Sequence, residues 1–163
     1  MIAQAWALAY SCRMATKKKQ PPAAPWGDAW RGVVFANARV LRAVEPSLEK
    51  AFGISLPFLD VLSRLYDAPD HRLRMQELAE QSLFTRSGMT RLVDRVETAG
   101  FVKRESVPGD RRGVYVLLTP EGERVLEQAM AQHRSDVQRV FASRLSPEQH
   151  RAVADALAQF WRA

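Results

Sequence analysis

The chain has 163 residues, which corresponds to one domain at roughly 150 residues per domain and excludes a large multidomain machine. Its 47% hydrophobic and 26% charged residues are ordinary for a globular protein, and they exclude the disordered and fibrous classes. A single cysteine, Cys12, excludes an internal disulfide framework and a zinc site built from cysteines. No apolar run approaches the ~18 residues that span a bilayer.

Positive charge is concentrated in two segments of the chain, whose net charge is +6. Residues 1–25 hold four basic side chains and no acidic one, and residues 86–112 hold seven basic side chains against four acidic ones. The second segment therefore carries +3 on a body that is otherwise nearly neutral. A local basic patch of this kind favours an anionic partner, such as nucleic acid, at one face of the fold.

The first of these segments predicts a disordered basic tail over residues 1–25. Its Lys17–Lys19 run is followed by a proline-rich stretch that offers little to bury. The run comes after an apolar start, the reverse of the order in a secretory signal, so we expect a cytoplasmic protein. Cys12 in this tail has two interpretations, an inert thiol or a redox sensor.

Apolar residues at helical spacing predict four helices between residues 26 and 100. Pro46 should kink or restart the first helix, because proline removes a backbone donor. Ser55 should cap the second helix. The third lies near Met75–Gln81, and the fourth runs from about Arg86 to Ala99. The stripe of the first helix is Trp30, Val33, Val34, Leu41, Val44 and Leu48, and that of the second is Phe58, Leu59, Leu62 and Leu65.

The pattern changes to β-type after residue 100. Phe101–Arg104 and Val114–Leu118 are short β-prone runs, and the turn signal Pro108-Gly109-Asp110 lies between them. Together they predict a two-stranded hairpin whose tip carries Arg111 and Arg112.

Helical spacing returns after the hairpin. Thr119-Pro120-Glu121 combines a cap, a proline at the first helical position and an acidic first turn. Ser146–Gln149 forms a capping box before the last helix, whose apolar face is Val153, Leu157, Phe160 and Trp161. We therefore expect a mainly α fold with a small β-hairpin wing. A winged helix-turn-helix lobe over residues 56–118 is flanked by helices over 26–55 and 119–163.

Five short motifs follow one another between residues 56 and 126, and a DRR wing before LTPEG is their most specific part. They are Leu78-Ala79-Glu80, Ser87–Glu97, Ala99–Arg104, Asp110–Gly113 and Leu118–Gly122. This ordered set resembles the MarR (multiple-antibiotic-resistance regulator) family. The resemblance implies a transcriptional regulator that binds a pseudo-palindromic operator as a homodimer, through its terminal helices, and represses until a ligand binds.

The fourth helix has an apolar and a polar face. Met89, Leu92, Val93 and Val96 recur at the i, i+3, i+4, i+7 spacing that faces a core. The opposite face carries the candidate DNA contacts Arg86, Ser87, Thr90, Arg91 and Arg95. Such side chains reach base edges and phosphates when the N-terminus of the helix enters a major groove. The alternative is a charged face that is merely solvated.

For the wing, the resemblance implies that an arginine enters the minor groove, where narrowing strengthens the negative potential. In the family, the position of Asp94 pairs with that of Arg112 and braces the wing against the recognition helix. Arg111 is then the expected groove contact, and Arg112 remains a second DNA-binding candidate. The alternative is a tight turn whose arginines are solvated.

The resemblance also implies a small aromatic or phenolic effector between the DNA-binding lobe and the helical arms. Candidate lining residues are Trp30, Phe35, Phe58, Leu62 and His133, although aromatic residues at helical spacing also occur as plain core. The three histidines lie far apart and show no metal-ligand spacing. No catalytic motif is present, so we expect no enzyme, no metal and no cofactor.

Two rival functions remain open at this stage. The same fold can bind DNA by charge alone, as a nucleoid-type protein without sequence preference, and the dependence of affinity on salt and sequence separates that case. A small enzyme or ligand carrier built around the aromatic cavity is the second rival. The basic residues 86–112 count against it, and failure to bind DNA would favour it.

Overall fold

The computed structural model describes residues 25–82, 84–107 and 109–160, with the backbone alone for residues 25, 111 and 112. The helices are α1 (Pro25–Phe52), α2 (Leu56–Asp67), α3 (Met75–Glu80), α4 (Arg86–Thr98), α5 (Pro120–Val140) and α6 (Pro147–Leu157). The strands are β1 (Arg72–Arg74), β2 (Val102–Val107) and β3 (Asp110–Leu118). The predicted mainly α fold with a small β-sheet is confirmed. The expected basic tail, with Cys12, lies outside the described residues.

These elements form two compact units. One is Ser47–His133, which contains α2, α3, α4 and the three strands, and the other consists of the described residues on either side of it. The boundary falls directly after Pro46, but α1 continues through this proline to Phe52. The expected restart at Pro46 is therefore wrong. Leu48, in the following turn, is fully buried, and its packing stabilises the continued helix.

The Ser47–His133 unit has a core formed by its helices and the sheet. α2 and α3 pack against β3, and α4 packs against β2 and contacts both α2 and α3. The fully buried side chains include Leu62 of α2, Leu78 of α3, Met89 and Val93 of α4, and Val116 of β3. The predicted inward faces of α2 and α4 are thus confirmed.

The sheet has three strands in the order β1-β3-β2, whereas the sequence predicted two. β1 pairs antiparallel with β3 and places Leu73 opposite Val116. A three-residue strand with one inward-facing side chain is too short for an alternation to be recognised, which is why the prediction was wrong. β2 and β3 also extend toward their turn, where Gly109 has a φ of +79° that favours glycine.

The start of α5 is held close to the end of α4 by Thr119 and Gly122. The Thr119 hydroxyl donates to the Gly100 carbonyl at 2.8 Å and accepts from the Gly122 N–H at 3.0 Å. The Thr119 N–H donates to the Phe101 carbonyl at 3.0 Å. A Cβ on residue 122 would lie 2.1 Å from that carbonyl oxygen, so this approach requires glycine.

The last helix begins as the capping box predicts. The Ser146 hydroxyl accepts from the Gln149 N–H at 3.3 Å, and the Gln149 side chain accepts from the Ser146 N–H at 2.8 Å. Short 3-10 helices at Ala142–Arg144 and Ala158–Phe160 flank α6. Trp161, expected on its apolar face, lies outside the described residues. Within the part of the chain that the structure describes, no helix is long and apolar enough to cross a membrane.

Candidate nucleic-acid interface

Helix α4 presents a polar face opposite the four side chains that it buries. Met89, Leu92, Val93 and Val96 are buried, and every candidate contact on the helix is exposed: Arg86, Ser87, Thr90, Arg91 and Arg95. The core therefore fixes the rotation of the helix, and these five side chains share its solvent side.

The N-terminus of α4 is capped and carries no acidic side chain in its first turn. The Thr85 hydroxyl accepts from the Gly88 N–H at 3.2 Å and lies 3.4 Å from the Ser87 hydroxyl. The Thr90 hydroxyl donates to the Arg86 carbonyl at 3.0 Å. The positive end of the helix dipole thus remains uncompensated by any carboxylate of its own first turn, which favours an anion such as phosphate.

The arginines of α4 differ in what they contact. The side chains of Arg86 and Arg91 make no hydrogen bond or ion pair with any described residue. Arg95 lies over the Phe58 ring, with its guanidinium carbon 5.1 Å from the ring centroid. Arg86 and Arg91 therefore have their full donor sets available to a ligand, whereas Arg95 is held against the protein.

The wing is the β2–β3 hairpin. Arg111 and Arg112 belong to β3, directly after the turn, instead of forming a separate tip. Their side chains lie outside what the structure describes, so their assignment to the minor groove stays a prediction. At the turn end of this hairpin, Arg74 of β1 contacts Asp110 of β3 at 3.4 Å.

Asp94 has a partner that sequence reasoning did not name. Its carboxylate lies 2.7 Å from the guanidinium of Arg104, on β2. The same guanidinium contacts Glu97 at 2.5 Å. Pairing of Asp94 with Arg112 stays a prediction, and Arg104 is a contact between wing and helix that sequence reasoning missed. The sequence did contain a clue to this contact. Arg104 lies two residues after Val102 on β2, so its side chain points to the same, inward face of the strand.

A second group that sequence reasoning missed lies on β1. The guanidinium carbons of Arg72 and Arg74 lie 5.0 and 5.7 Å from the centroid of the Tyr115 ring on β3. Arg72 also pairs with Asp70 at 3.1 Å. These cations are partly neutralised by carboxylates and held by an aromatic ring, unlike Arg86 and Arg91.

The structure distributes the effector candidates over both units. Phe58 and Leu62 are buried in the core of the Ser47–His133 unit, which also contains a half-buried His133. Trp30 and Phe35 belong to the other unit and are exposed. The structure describes no group of three His, Cys, Asp or Glu side chains, in the residues it covers, that could hold a metal ion.

Comparison with known proteins agrees with this arrangement. The family model described as "MarR family" matches residues 52–113. The HTH-type transcriptional repressor YetL of Bacillus subtilis is 39% identical over 88 residues, which are 54% of this chain and 53% of YetL. Sco3205, a MarR family transcriptional regulator from Streptomyces coelicolor solved in complex with DNA, is 30% identical, with a TM-score of 0.77 over 86% of this chain and 89% of Sco3205. The chain belongs to the MarR family.

Other matches cover larger parts of the chain than the family model does. The transcriptional regulator HosA of Escherichia coli O111:H- is 32% identical over 96 residues, 59% of this chain and 69% of HosA. AbsC, a MarR family transcriptional regulator from Streptomyces coelicolor, has a TM-score of 0.76 at 26% identity and aligns with 88% of this chain and 99% of its own. The chain thus spans about half the length of YetL but most of the length of these structural relatives.

Proposed function

We propose that this chain is a sequence-specific transcriptional regulator, which binds a pseudo-palindromic operator as a homodimer and represses until a small ligand binds. The observation that carries the proposal is the polar face of α4, where Arg86 and Arg91 are exposed and lack a partner in the described chain. Sco3205, a relative over most of its length, was solved with DNA. Both points favour double-stranded DNA as the partner.

In this proposal the N-terminal half of α4 enters the major groove. Ser87 and Thr90 lie on the same exposed face as the two free arginines, and in sequence these two hydroxyl side chains lie between the two cations, so the face offers hydroxyls for base edges and cations for guanine or phosphate. The uncompensated N-terminus of the helix adds a favourable field toward the backbone. Arg111 of the wing takes the adjacent minor groove.

The homodimer is supported by the apolar side chains that the helical arms leave open. Trp26, Trp30 and Phe160 are 72%, 58% and 76% exposed, and Phe35 and Val153 are exposed as well. Large apolar side chains exposed on helical arms favour an interface, because a second copy would remove them from water. A cleft of about 510 Å³, lined by Phe35, Arg39, Arg42 and Val140 among others, lies on the same unit. Two-fold symmetry would match two operator half-sites.

For the effector we propose a small aromatic or phenolic molecule. Of the five candidate residues, Trp30, Phe35 and His133 keep accessible surface, while Phe58 and Leu62 are core residues. The support is therefore confined to the first three. Titration with salicylate or a comparable phenol, followed by tryptophan fluorescence and by release of bound DNA, tests this part separately.

The experiment for DNA binding is selection of duplexes from a random pool, followed by affinity measurements at several salt concentrations. We expect a two-fold symmetric consensus that is bound ~10³-fold or more tightly than a scrambled duplex. Equal affinity for both duplexes with a steep salt slope would instead establish nucleoid-type binding by charge alone. If the protein retained no duplex from the pool, the alternative of a ligand carrier or small enzyme would be favoured.

A further inference from the structure

Arg104 joins the β-sheet to helix α4 through several contacts. Its Nη2 lies 2.7 Å from Asp94 Oδ1, and its Nη1 lies 2.5 Å from Glu97 Oε2. The backbone N–H of Arg104 donates to Glu97 Oε1 at 2.9 Å, and Nη2 also lies 3.4 Å from the Thr90 carbonyl oxygen. One residue of the strand therefore binds three positions along the recognition helix.

The position of Arg104 in the sheet explains why it faces the helix. It pairs with Val116 of the central strand, and that side chain is fully buried. Two residues earlier Val102 is buried as well, so Arg104 continues the inward face of β2. Its side chain is 25% exposed and sits between the sheet and the polar edge of α4.

The charges of this cluster argue against a direct contact between Arg104 and DNA. One guanidinium faces two carboxylates, so the cluster of Arg104, Asp94 and Glu97 has a net charge of −1. An arginine that shares its donors between two carboxylates has few left for a phosphate. The guanidinium groups of Arg86 and Arg91, in contrast, have no hydrogen-bond or ion-pair partner in the described chain.

We infer that Arg104 is a positioning residue, whose bridge to Asp94 and Glu97 holds the recognition helix at the angle needed to discriminate operator from other DNA. The inference rests on the DNA-binding function proposed above. Base recognition requires bidentate geometry, which tolerates little displacement of the helix, whereas phosphate attraction tolerates more. Loss of the bridge should therefore reduce discrimination more than general affinity for DNA.

The test compares four proteins on two duplexes, one selected by the wild type from a random pool and one scrambled. They are the wild type, Arg104→Gln, the triple variant Arg104→Gln/Asp94→Asn/Glu97→Gln, and Lys103→Gln as the matched control. Lys103 neighbours Arg104 on β2 but pairs with Glu105, so its replacement removes the same charge without touching α4. Thermal unfolding of each protein is measured alongside.

We expect Arg104→Gln to lower the ratio of selected to scrambled affinity about tenfold, since one displaced bidentate base contact carries a discrimination of that order. Lys103→Gln should weaken both duplexes alike and leave the ratio unchanged. The triple variant is more positive than the wild type by one charge. If charge alone mattered, it would bind both duplexes more tightly than the wild type and keep the wild-type ratio of selected to scrambled affinity. If Arg104 positions the helix, this ratio should stay as low as in Arg104→Gln.

An unchanged ratio in a folded Arg104→Gln protein would overturn the inference, and so would a restored ratio in the triple variant. If Arg104→Gln does not fold, Arg104→Lys replaces it, because one ammonium keeps the charge but cannot bridge both carboxylates in the same geometry. A ratio for Arg104→Lys equal to that of the wild type would then refute the bridge. A wild type without any preference between the duplexes would refute the proposed function itself, which is a separate outcome.

Discussion

Replacement of Gly122 by alanine tests how tightly the start of α5 is packed. A Cβ at this position would lie 2.1 Å from the Phe101 carbonyl oxygen and 2.9 Å from Leu118 Cδ1. Ordinary contact begins near 3.4 Å, so the two backbones must separate by about 1.3 Å. The movement would loosen the Thr119 bonds to Gly100, Phe101 and residue 122, which are 2.8 to 3.0 Å long.

The expected loss of stability follows from three contributions. Overpacking against a backbone carbonyl costs about 1–3 kcal/mol, and each weakened hydrogen bond costs about 1 kcal/mol. Alanine favours a helix over glycine by about 1 kcal/mol, which offsets part of the loss. We therefore expect Gly122→Ala to lower the free energy of unfolding by about 2–4 kcal/mol.

Gly32→Ala is the matched control for this experiment. Residue 32 lies inside α1, and a Cβ there meets nothing within 4 Å. The same substitution should therefore raise stability by about 0.5–1 kcal/mol through helix propensity alone. Urea unfolding of both variants at one protomer concentration measures the difference and removes any effect of mass action. If Gly122→Ala were as stable as Gly32→Ala, the close approach to Phe101 would not exist in solution.

Three further predictions concern DNA and the dimer. Arg111→Ala should weaken binding to the selected duplex by ~1–3 kcal/mol with little change in melting temperature. If the variant bound this duplex as tightly as the wild type, Arg111 would not contact the minor groove. Asp94→Asn should reduce binding to that duplex, because it weakens the bridge to Arg104; bare charge predicts the opposite sign, and tighter binding would support it. Phe35→Asp places a charge on an exposed aromatic position of α1, and sedimentation equilibrium should show more monomer than in the wild type; an unchanged dimer would place the interface elsewhere.

Local features of the chain could be predicted from the sequence. The two faces of α4 follow from apolar spacing alone, and the burial of Met89 and Val93 confirms them. The capping box at Ser146 likewise depends on two residues that are close in sequence. Both features are decided within one or two helical turns, which is the range over which sequence patterns carry information.

Features that depend on pairing between distant segments were harder to predict from the sequence. β1 forms because Leu73 pairs with Val116 across the sheet. Its three residues are too few to show the alternating pattern that predicts a strand. The contact of Asp94 with Arg104 depends on how β2 lies against α4, and the pairing with Arg112 that the family resemblance implies stays a prediction. The alternation of β2 already placed Arg104 on the inward face, so attention to both faces of the strand would have made it a candidate.

The apolar stripe of α1 shows why periodicity alone could not decide between core and interface. At its C-terminal end Val44 and Leu48 are fully buried, whereas Trp30 and Val33 near its start are exposed. The stripe follows one side of the helix along its whole length. Its apolar residues indicate that this side must be buried, but they do not show whether the same chain or a second copy buries it. The described chain covers only the later part of this stripe. The exposed part of the stripe is therefore a surface that a second copy could bury, and it is where substitutions should separate dimer formation from the fold of the DNA-binding unit.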